Sequence, residues 1–466
     1  MVSRAAAIFD LDRTLLDGAS WPIYHQALVQ EGVVSAGGGA ALGIVFGLFR
    51  GLGESFLSMQ ATRLAAGRTR GWSLAAVDAA AVAALPELLA EVHPYALVLM
   101  EEHRQRGDLL VLATTTPYRL AGPLAQALGF DACLATRYGE VEGAFDGTIE
   151  GPFVWNRGKL NAVQSWASAN NVSLAASSAY SDSFFDAPLL EAVAHPTAVN
   201  PDPRLALLAV LRGWPLRWLD KPAGVVKLAG RELQELTRPL LNPALLPNAR
   251  FHFEGLEHLP SEGGYILCAN HRSYFDPTAI ALLLAKAGRT CRFLGKKEVF
   301  DAPVVGTLAR VLGGIRVDRG TGSDEPLAAA AQALATGDVV AIMPQGTIPR
   351  GMAFFEPTLK GRLGAARLAG LTGAAVVPVG LWGTERVWPR SARLPHFDLA
   401  RPPAVRVIVG EALQVPGRSA SRDTETIMAA ITALLPAEAR QPHQPTDDEL
   451  RATFPPGYHG ELRSRS

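Results

Sequence analysis

The sequence predicts an α/β protein made of two parallel-sheet domains, and three observations carry that prediction. Short apolar runs of strand length recur between polar turns: Ala5 to Phe9, Leu109 to Ala113, Tyr265 to Ala269, Val339 to Met343 and Ala375 to Val379. Runs this short and this apolar suit strands buried on both faces, as parallel sheets require. Ala- and Leu-rich stretches of helical type separate them, which is the rhythm of βαβ units. The residues able to do chemistry stand directly after the apolar runs, where open parallel sheets bind their ligands.

Length and composition bound the answer. At roughly 100–200 residues per domain, 466 residues make roughly two to four domains. Charged residues are 19% of the chain and hydrophobic ones 48%, the reverse of the balance that disorder needs. Gly (45) and Pro (33) show no collagen-like period. Lys+Arg and Asp+Glu both number 44, so there is no global basic excess and nucleic acid is not an expected partner. Cys133, Cys268 and Cys291 are odd in number and widely spaced, which fits buried thiols in a reducing, cytoplasmic setting better than a disulfide or zinc framework. The apolar run after Met1 stops at Asp10, too short for a secretory signal. No run of about 20 strongly apolar residues occurs; the nearest, Gly32 to Phe49, is heavy in Gly and Ala. Contact with a membrane surface is expected rather than a span.

Taken in order, Ala5 to Phe9 and Leu109 to Ala113 read as strands, with Leu174 to Tyr180 a weaker third. The stretch between the first two reads as helical, as in Leu74 to Val98. Pro215, Pro222, Pro239, Pro243 and Pro247 mark a connector. Within it, Val225 to Leu241 reads as an apolar helix that either packs on the next domain or lies on a membrane. The second half adds a helix at Ala328 to Leu334 and a late strand at Val405 to Val409. The polar, Pro-rich end reads as disordered. The expected organisation is residues 1–215, a connector over 216–249, residues 250–436 and a tail over 437–466.

Asp10-Leu11-Asp12-Arg13-Thr14 follows the first strand. Two carboxylates so close repel, and a divalent cation relieves that cost. One Asp can attack phosphorus while the other serves as acid and then base. Thr114-Thr115-Thr116-Pro117 follows the second strand with hydroxyls for a phosphate oxygen, and Lys159 supplies a point charge. Ser181-Asp182 and Asp186 add carboxylates after the third strand candidate.

That order of motifs resembles the haloacid-dehalogenase (HAD) phosphatase superfamily, nearest its phosphoserine-phosphatase-like branch, over residues 1–215. The resemblance implies a Rossmann-like domain with a helical cap over about 18–98, Asp10 as nucleophile and Asp12 as general acid/base. It implies that Thr114 and Lys159 bind the phosphoryl group. Asp10, Asp182 and the backbone carbonyl of Asp12 would hold Mg²⁺, with Asp186 in support. Arg13 stands where many members carry Gly, which puts the local turn in question. The cap run Gly37 to Phe49 is apolar; it suits core packing, or a face toward lipid, better than a pocket for a charged amino acid.

Asn270-His271-Arg272-Ser273-Tyr274-Phe275-Asp276-Pro277 follows Tyr265 to Ala269. The Asp can orient the imidazole, which then takes a proton from an acceptor hydroxyl. Asp276 before Pro277 reads as an N-cap and first helical residue. G-x-S-x-G is absent, so direct attack by the acceptor fits better than an acyl-enzyme. Arg316, Asp318 and Arg319 form a later block, then Pro344-Gln345-Gly346-Thr347 with Arg350, then Val377-Pro378-Val379-Gly380. Arginine forks suit phosphate. Lys286, Arg289, Arg292, Lys296, Lys297 and Arg310 suggest a local positive field toward an anionic substrate or lipid surface.

This set resembles the glycerolipid acyltransferases, specifically those acting on 1-acylglycerol-3-phosphate (lysophosphatidate), over about residues 250–435. The resemblance implies an α/β acyltransferase domain with His271 as general base and Asp276 as its partner. Arg319 and Arg350 would contact phosphate, and Gln345, Gly346 and Thr347 would line the substrate site. The donor would be acyl-CoA or an acyl carrier protein thioester. Gln345 replaces the family's Glu, which bears on the acceptor. The expected protein is a bifunctional-type enzyme of phospholipid biosynthesis, membrane-associated on the cytoplasmic side, with a phosphatase domain of unspecified substrate. Two other divisions of labour stay open. In one the first domain is a non-catalytic module; in the other a phosphatase carries an inactive acyltransferase fold.

Overall fold

The computed structural model describes residues 4–35, 56–222, 224–228, 230–301, 305–317 and 325–463. The chain divides into two units, Met1–Lys221 and Pro222–Ser466.

Unit 1 is built on β1 (Ala6–Phe9), β2 (Leu109–Pro117), β3 (Ala132–Val141), β4 (Ala144–Glu150), β5 (Ser178–Ser181), β6 (His195–Val199) and β7 (Leu216–Arg217). They form one sheet in the order β4-β3-β2-β1-β5-β6-β7, parallel except for the β3–β4 hairpin. All four residues of β1 are buried, as a central strand covered on both faces must be. Its neighbours are β2 and β5, reached in opposite directions along the sheet. That reversal opens a crevice at the strand ends. Phe9 stacks on Tyr180 at 4.7 Å, and the Tyr180 hydroxyl meets His103 Nε2 at 2.7 Å while Asp108 meets Nδ1. The β3–β4 hairpin was not anticipated; Glu142 (φ 50°) and Gly143 (φ 78°) make its turn in the left-handed region that tight hairpins require. The helical stretch before β2 is broken into Leu74–Ala83, Leu85–Ala90 and Pro94–Arg106. The cap run Gly37 to Phe49 lies outside the described residues.

Unit 2 carries a small hairpin of β8 (Lys227–Leu228) and β9 (Arg231–Glu232). Its main sheet contains β10 (Arg250–Glu254), β11 (Tyr265–Ala269), β12 (Cys291–Lys296), β13 (Ile315–Val317), β14 (Val339–Ile342), β15 (Val376–Trp382) and β16 (Ala404–Val409). The order is β10-β16-β15-β11-β14-β12-β13, parallel except for β15–β16. β11 is buried throughout and lies between β15 and β14. The strands β10, β12 and β13 escaped the sequence reading because they are short and carry charges.

Three expectations are corrected. The connector segment Val225 to Leu241 is no single helix: Gly230 at φ 78° serves the hairpin, and only Leu233–Thr237 is α-helical. The positive field is reduced at Arg292, which is buried and forms a fork to Glu232 (2.6 and 2.7 Å) and a bond to Asp338 (2.9 Å). The tail expected to be disordered is folded over much of its described part. Asp447–Ala452 is a helix with a Thr446–Glu449 capping box, Leu450 and Phe454 are buried, and the Thr453 hydroxyl accepts from the Gly351 amide at 2.8 Å. Two apolar anchors in a polar stretch were enough to order it.

Candidate active sites

In unit 1 the residue after β1, Asp10, donates its N–H to Tyr180 O at 3.0 Å, joining the ends of β1 and β5. Lys159 Nζ donates to Asp10 Oδ1 at 2.7 Å and to Asp186 Oδ2 at 2.6 Å. It comes from the buried face of the helix Arg157–Ala169 and is 3% exposed. The Ser181 hydroxyl holds the same Asp186 oxygen at 2.7 Å. Asp12 accepts from the Ser20 amide at 2.5 Å and the Thr116 hydroxyl at 3.4 Å. Asp182 is tied to the Asp10–Thr14 loop: its N–H donates to Thr14 Oγ1 at 3.0 Å, the Thr14 hydroxyl donates back at 3.3 Å, and Arg13 Nε lies 3.5 Å from its other oxygen.

Of the threonines after β2, Thr114 is buried and its hydroxyl accepts from the Thr116 amide at 3.2 Å, while Thr115 donates to Val154 O. Thr116 is the one that touches a catalytic-type carboxylate. Thr116 and Ser20 were not singled out in the sequence, since neither carries a signal beyond its neighbours. Arg13 makes the turn in question with φ 59°, a conformation costing roughly 1–2 kcal/mol for a side-chain-bearing residue. Its N–H donates to Gly18 O at 3.0 Å and its carbonyl accepts from Asn200 at 3.0 Å.

Burial pushes the Asp10 carboxyl up to about 7, against the pull of Lys159 and with help from Asp186 and Asp12. Burial also raises Asp12, against the Ser20 and Thr116 hydrogen bonds. The same burial works against the Lys159 charge, but Asp10 and Asp186 outweigh it and hold the ammonium above its ordinary value. Among the described residues no three His, Cys, Asp or Glu gather into a ready metal cluster. The donors around Asp10 are hard oxygens, and one ammonium faces several carboxylates. That surplus of negative charge fits a small divalent cation held by one or two carboxylates and a carbonyl.

In unit 2 Asn270 follows β11, and its amide pairs twice with Leu381 of β15, donating to O at 2.9 Å and accepting from N at 2.7 Å. This anchors the start of the loop that carries His271. His271 Nδ1 meets Asp276 Oδ2 at 2.8 Å. The same oxygen accepts from the amides of Arg272 (2.6 Å) and Ser273 (2.8 Å). Asp276 is the first residue of its helix, not the N-cap, and turns its carboxylate back into the loop. The carboxylate is fully buried while His271 is 19% exposed. A carboxylate at Nδ1 fixes the proton there and leaves Nε2 as the base.

Gln345 Oε1 accepts from the His271 amide at 2.6 Å. An acceptor is all this contact needs, so an amide serves as well as a carboxylate. Gly346 takes φ 72°, its N–H donating to Met343 O at 2.8 Å. His271, Asp276 and Gln345 are therefore brought together. Thr347 follows half-buried, and Arg350 is exposed at the outer end of the same loop. Arg319 lies outside the described residues. Missed by sequence reasoning were Ser273, whose hydroxyl donates to Trp388 O at 2.6 Å, and Glu385, which pairs with Arg272 at 3.2 Å. Arg272 is also sandwiched between Phe354 and Trp382, 4.2 Å from each ring. These pairings span long sequence separations and leave no local pattern.

The two sites define the class: an α/β protein with an aspartate–lysine centre at one strand end and a histidine–aspartate centre at another. The chain belongs to the haloacid dehalogenase-like hydrolases through residues 7–191, of phosphoserine-phosphatase-like type, fused to an acyltransferase domain matched over residues 250–382. Phosphoserine phosphatase SerB1 of Mycobacterium tuberculosis is 34% identical over 224 residues, 46% of this chain and 70% of that protein. The inhibition of morphological differentiation protein of Streptomyces azureus is 32% identical over 225 residues, 47% of this chain and 80% of that protein. A solved structure of the 1-acyl-sn-glycerophosphate acyltransferase PlsC of Thermotoga maritima aligns at 22% identity with a TM-score of 0.34, over 43% of this chain and 77% of that one.

Proposed function

We propose that unit 2 transfers an acyl chain from acyl-CoA or an acyl carrier protein thioester to lysophosphatidate, giving phosphatidate. The observation that carries the reading is the His271–Asp276 contact at 2.8 Å, with the His271 amide held by Gln345. His271 Nε2 takes the proton of the acceptor hydroxyl as its oxygen attacks the thioester carbonyl. Asp276 stabilises the imidazolium that forms, and the imidazolium returns the proton to the leaving thiolate. The retained acceptor at Gln345 argues against an inactive acyltransferase fold.

Unit 1 is a phosphomonoester hydrolase in this reading, since its buried charges and their partners are all in place. Asp10 attacks phosphorus and forms an aspartyl-phosphate, Asp12 protonates the leaving oxygen, then takes a proton from the incoming water. Lys159 holds the phosphoryl charge and the Asp10 geometry, and Thr116 steadies Asp12. Asp10, Asp182 and the Asp12 carbonyl would hold Mg²⁺, which when bound neutralises charge on the phosphoryl oxygens. The protein works as a peripheral protein on the cytoplasmic face of a membrane. Leu394, Phe397 and Leu399 are 72%, 72% and 64% exposed, and Arg393 and Arg401 flank them. Among the described residues no helix is long and apolar enough to cross a membrane.

The test is a product assay on the full chain. Wild type makes phosphatidate from lysophosphatidate and a labelled acyl thioester; His271→Ala loses it while still releasing phosphate from a phosphomonoester panel. Asp10→Asn does the reverse. Undiminished phosphatidate in His271→Ala overturns the acyl-transfer mechanism, and undiminished phosphate release in Asp10→Asn overturns the hydrolase.

A further inference from the structure

One carboxylate oxygen carries the arrangement of the histidine turn. Asp276 Oδ2 accepts from His271 Nδ1 at 2.8 Å, from the Arg272 amide at 2.6 Å and from the Ser273 amide at 2.8 Å. The carboxylate is fully buried, and its Oδ1 has no hydrogen-bond partner among the described residues. The aim of Asp276 at the imidazole therefore depends on two backbone N–H groups. Hydrogen bonds weaken steeply when the donor swings off line, so whatever fixes the turn fixes the base.

The turn is tied on both sides of Arg272. Asn270 pairs twice with Leu381, and the Ser273 hydroxyl donates to Trp388 O at 2.6 Å. The Arg272 N–H belongs to the peptide that joins it to His271, so a shift of this residue moves the donor and the imidazole together. Its side chain is held from three sides. The guanidinium carbon lies 4.2 Å from the Phe354 ring and 4.2 Å from the Trp382 ring. Phe354 stands at the end of the loop that carries Gln345, and Trp382 ends β15. Glu385, in the short helix Thr384–Val387, closes the edge. Arg272 Nη2 donates to its Oε1 at 3.2 Å, while Nε stands 3.2 Å from Oε2 without a hydrogen bond. A planar guanidinium stacks on aromatic faces and still turns its edge to a carboxylate. An ammonium is a point charge and does not combine the two.

We propose that Arg272 is a positioning residue of the acyl-transfer site: clamped by Phe354, Trp382 and Glu385, it holds the turn that presents Asp276 to His271. The clamp joins the turn to the Gln345 loop, to β15 and to the helix after it, so the base is registered against three elements that the sequence keeps far apart. The role in catalysis rests on the acyl-transfer reading, but the hold on the His271–Asp276 pair does not.

The test uses the full chain with Asp10→Asn as background, so that unit 1 does not consume phosphate esters. Acyl transfer from a labelled acyl thioester to lysophosphatidate gives kcat and KM. Nitrogen-15 histidine labelling, with His271→Gln for assignment, gives the downfield Nδ1–H resonance of a histidine bonded to a carboxylate. Arg272→Met keeps a side chain between the rings but loses the planar cation. It is expected to lower kcat roughly ten- to a hundredfold, the effect of a misplacement of about 1 Å, with each KM changed much less and the Nδ1–H resonance moved upfield or lost to exchange. Arg272→Lys recovers part of both. Glu385→Gln moves both in the same direction and by less, and carries the test if Arg272→Met fails to fold, as judged by circular dichroism. Unchanged kcat and resonance in both variants overturn the proposal and leave Arg272 as packing. A raised KM with kcat unchanged overturns it too, and makes Arg272 a substrate contact. A fall in kcat with the resonance intact also overturns it, since Arg272 would then act other than through Asp276. If wild type transfers no acyl chain but shows the resonance, and the variants lose it, the positioning role stands and the acyl-transfer reading falls.

Discussion

Lys159 is the residue on which unit 1 is most exposed to damage. It is buried between two carboxylates at 2.7 and 2.6 Å, and removing one member of a buried ionic group leaves the others uncompensated at a cost of about 3–5 kcal/mol. Lys159→Met is expected to destabilise unit 1 by about that much in urea unfolding. The loss is smaller at pH 5 than at pH 8, because the Asp10 carboxyl, pushed up by burial, is protonated at the lower pH. Asp10 gives a second prediction. Burial pushes its carboxyl up to about 7 from an ordinary value of 3.8, so without a divalent cation the folded state keeps a proton that the unfolded chain has lost. The stabilisation is complete below the unfolded value and is lost as pH rises through about 7. Mg²⁺ requires the ionised form, so the rise in Tm on adding Mg²⁺ should grow between pH 5 and 8; a Tm gain independent of pH would rule out Asp10 as a ligand. At this scale much of the site was legible. Asp10, Asp12, Lys159, His271 and Asp276 announce themselves because chemistry demands those residue types just beyond strands. Ser20 and Thr116 do not, since their contacts with Asp12 arise from folding alone.

Elements show the same division. The buried strands β1, β11, β14 and β15 were readable because interior parallel strands are nearly all apolar. The hairpin β3–β4 and the strands β10, β12 and β13 were not, because charged residues break the apolar run, whether they are exposed as in β10 or buried and paired like Arg292 in β12. The C-terminal segment misled for a related reason. Its composition is that of a disordered chain, yet Leu450 is fully buried, and the Thr453 hydroxyl holds the Gly351 amide just beyond Arg350. A helix of six residues has little stability of its own, so the segment is ordered by these anchors. Leu450→Ala should cost roughly 2–5 kcal/mol and speed proteolysis of 437–463. Because the segment supplies Glu438, His443 and Glu449 to the wall of a cavity of about 430 Å³ that Arg272, the residue after His271, also lines, the same variant should impair acyl transfer and spare phosphate release. Equal protease resistance in variant and wild type would mean the segment is held by other contacts.

For the whole molecule, a formal net charge of zero bears on how the proposed membrane contact would be made. Charge neutrality gives no long-range attraction to an anionic membrane; binding must come from apolar side chains helped by nearby arginines. The segment from Arg393 to Arg401 has that composition, with Leu394, Phe397 and Leu399 held out in solvent. Each such side chain is worth roughly 1.5–3 kcal/mol when fully removed from water, so even partial insertion of three yields reversible binding. Arginines at the lipid surface add a salt-dependent part. Joint replacement Leu394→Ser, Phe397→Ser and Leu399→Ser should therefore release the full chain from phosphatidylcholine–phosphatidylglycerol vesicles in a flotation assay. Stability should change little, because exposed side chains contribute within about 0.5 kcal/mol. Raising the salt should weaken wild-type binding without abolishing it. The triple variant should keep turnover of a short-chain, water-soluble acceptor and lose it toward lysophosphatidate presented in vesicles. A variant that floats with vesicles as wild type does would move the membrane contact elsewhere on the chain, while one that also loses the soluble reaction would make the segment part of the catalytic unit instead.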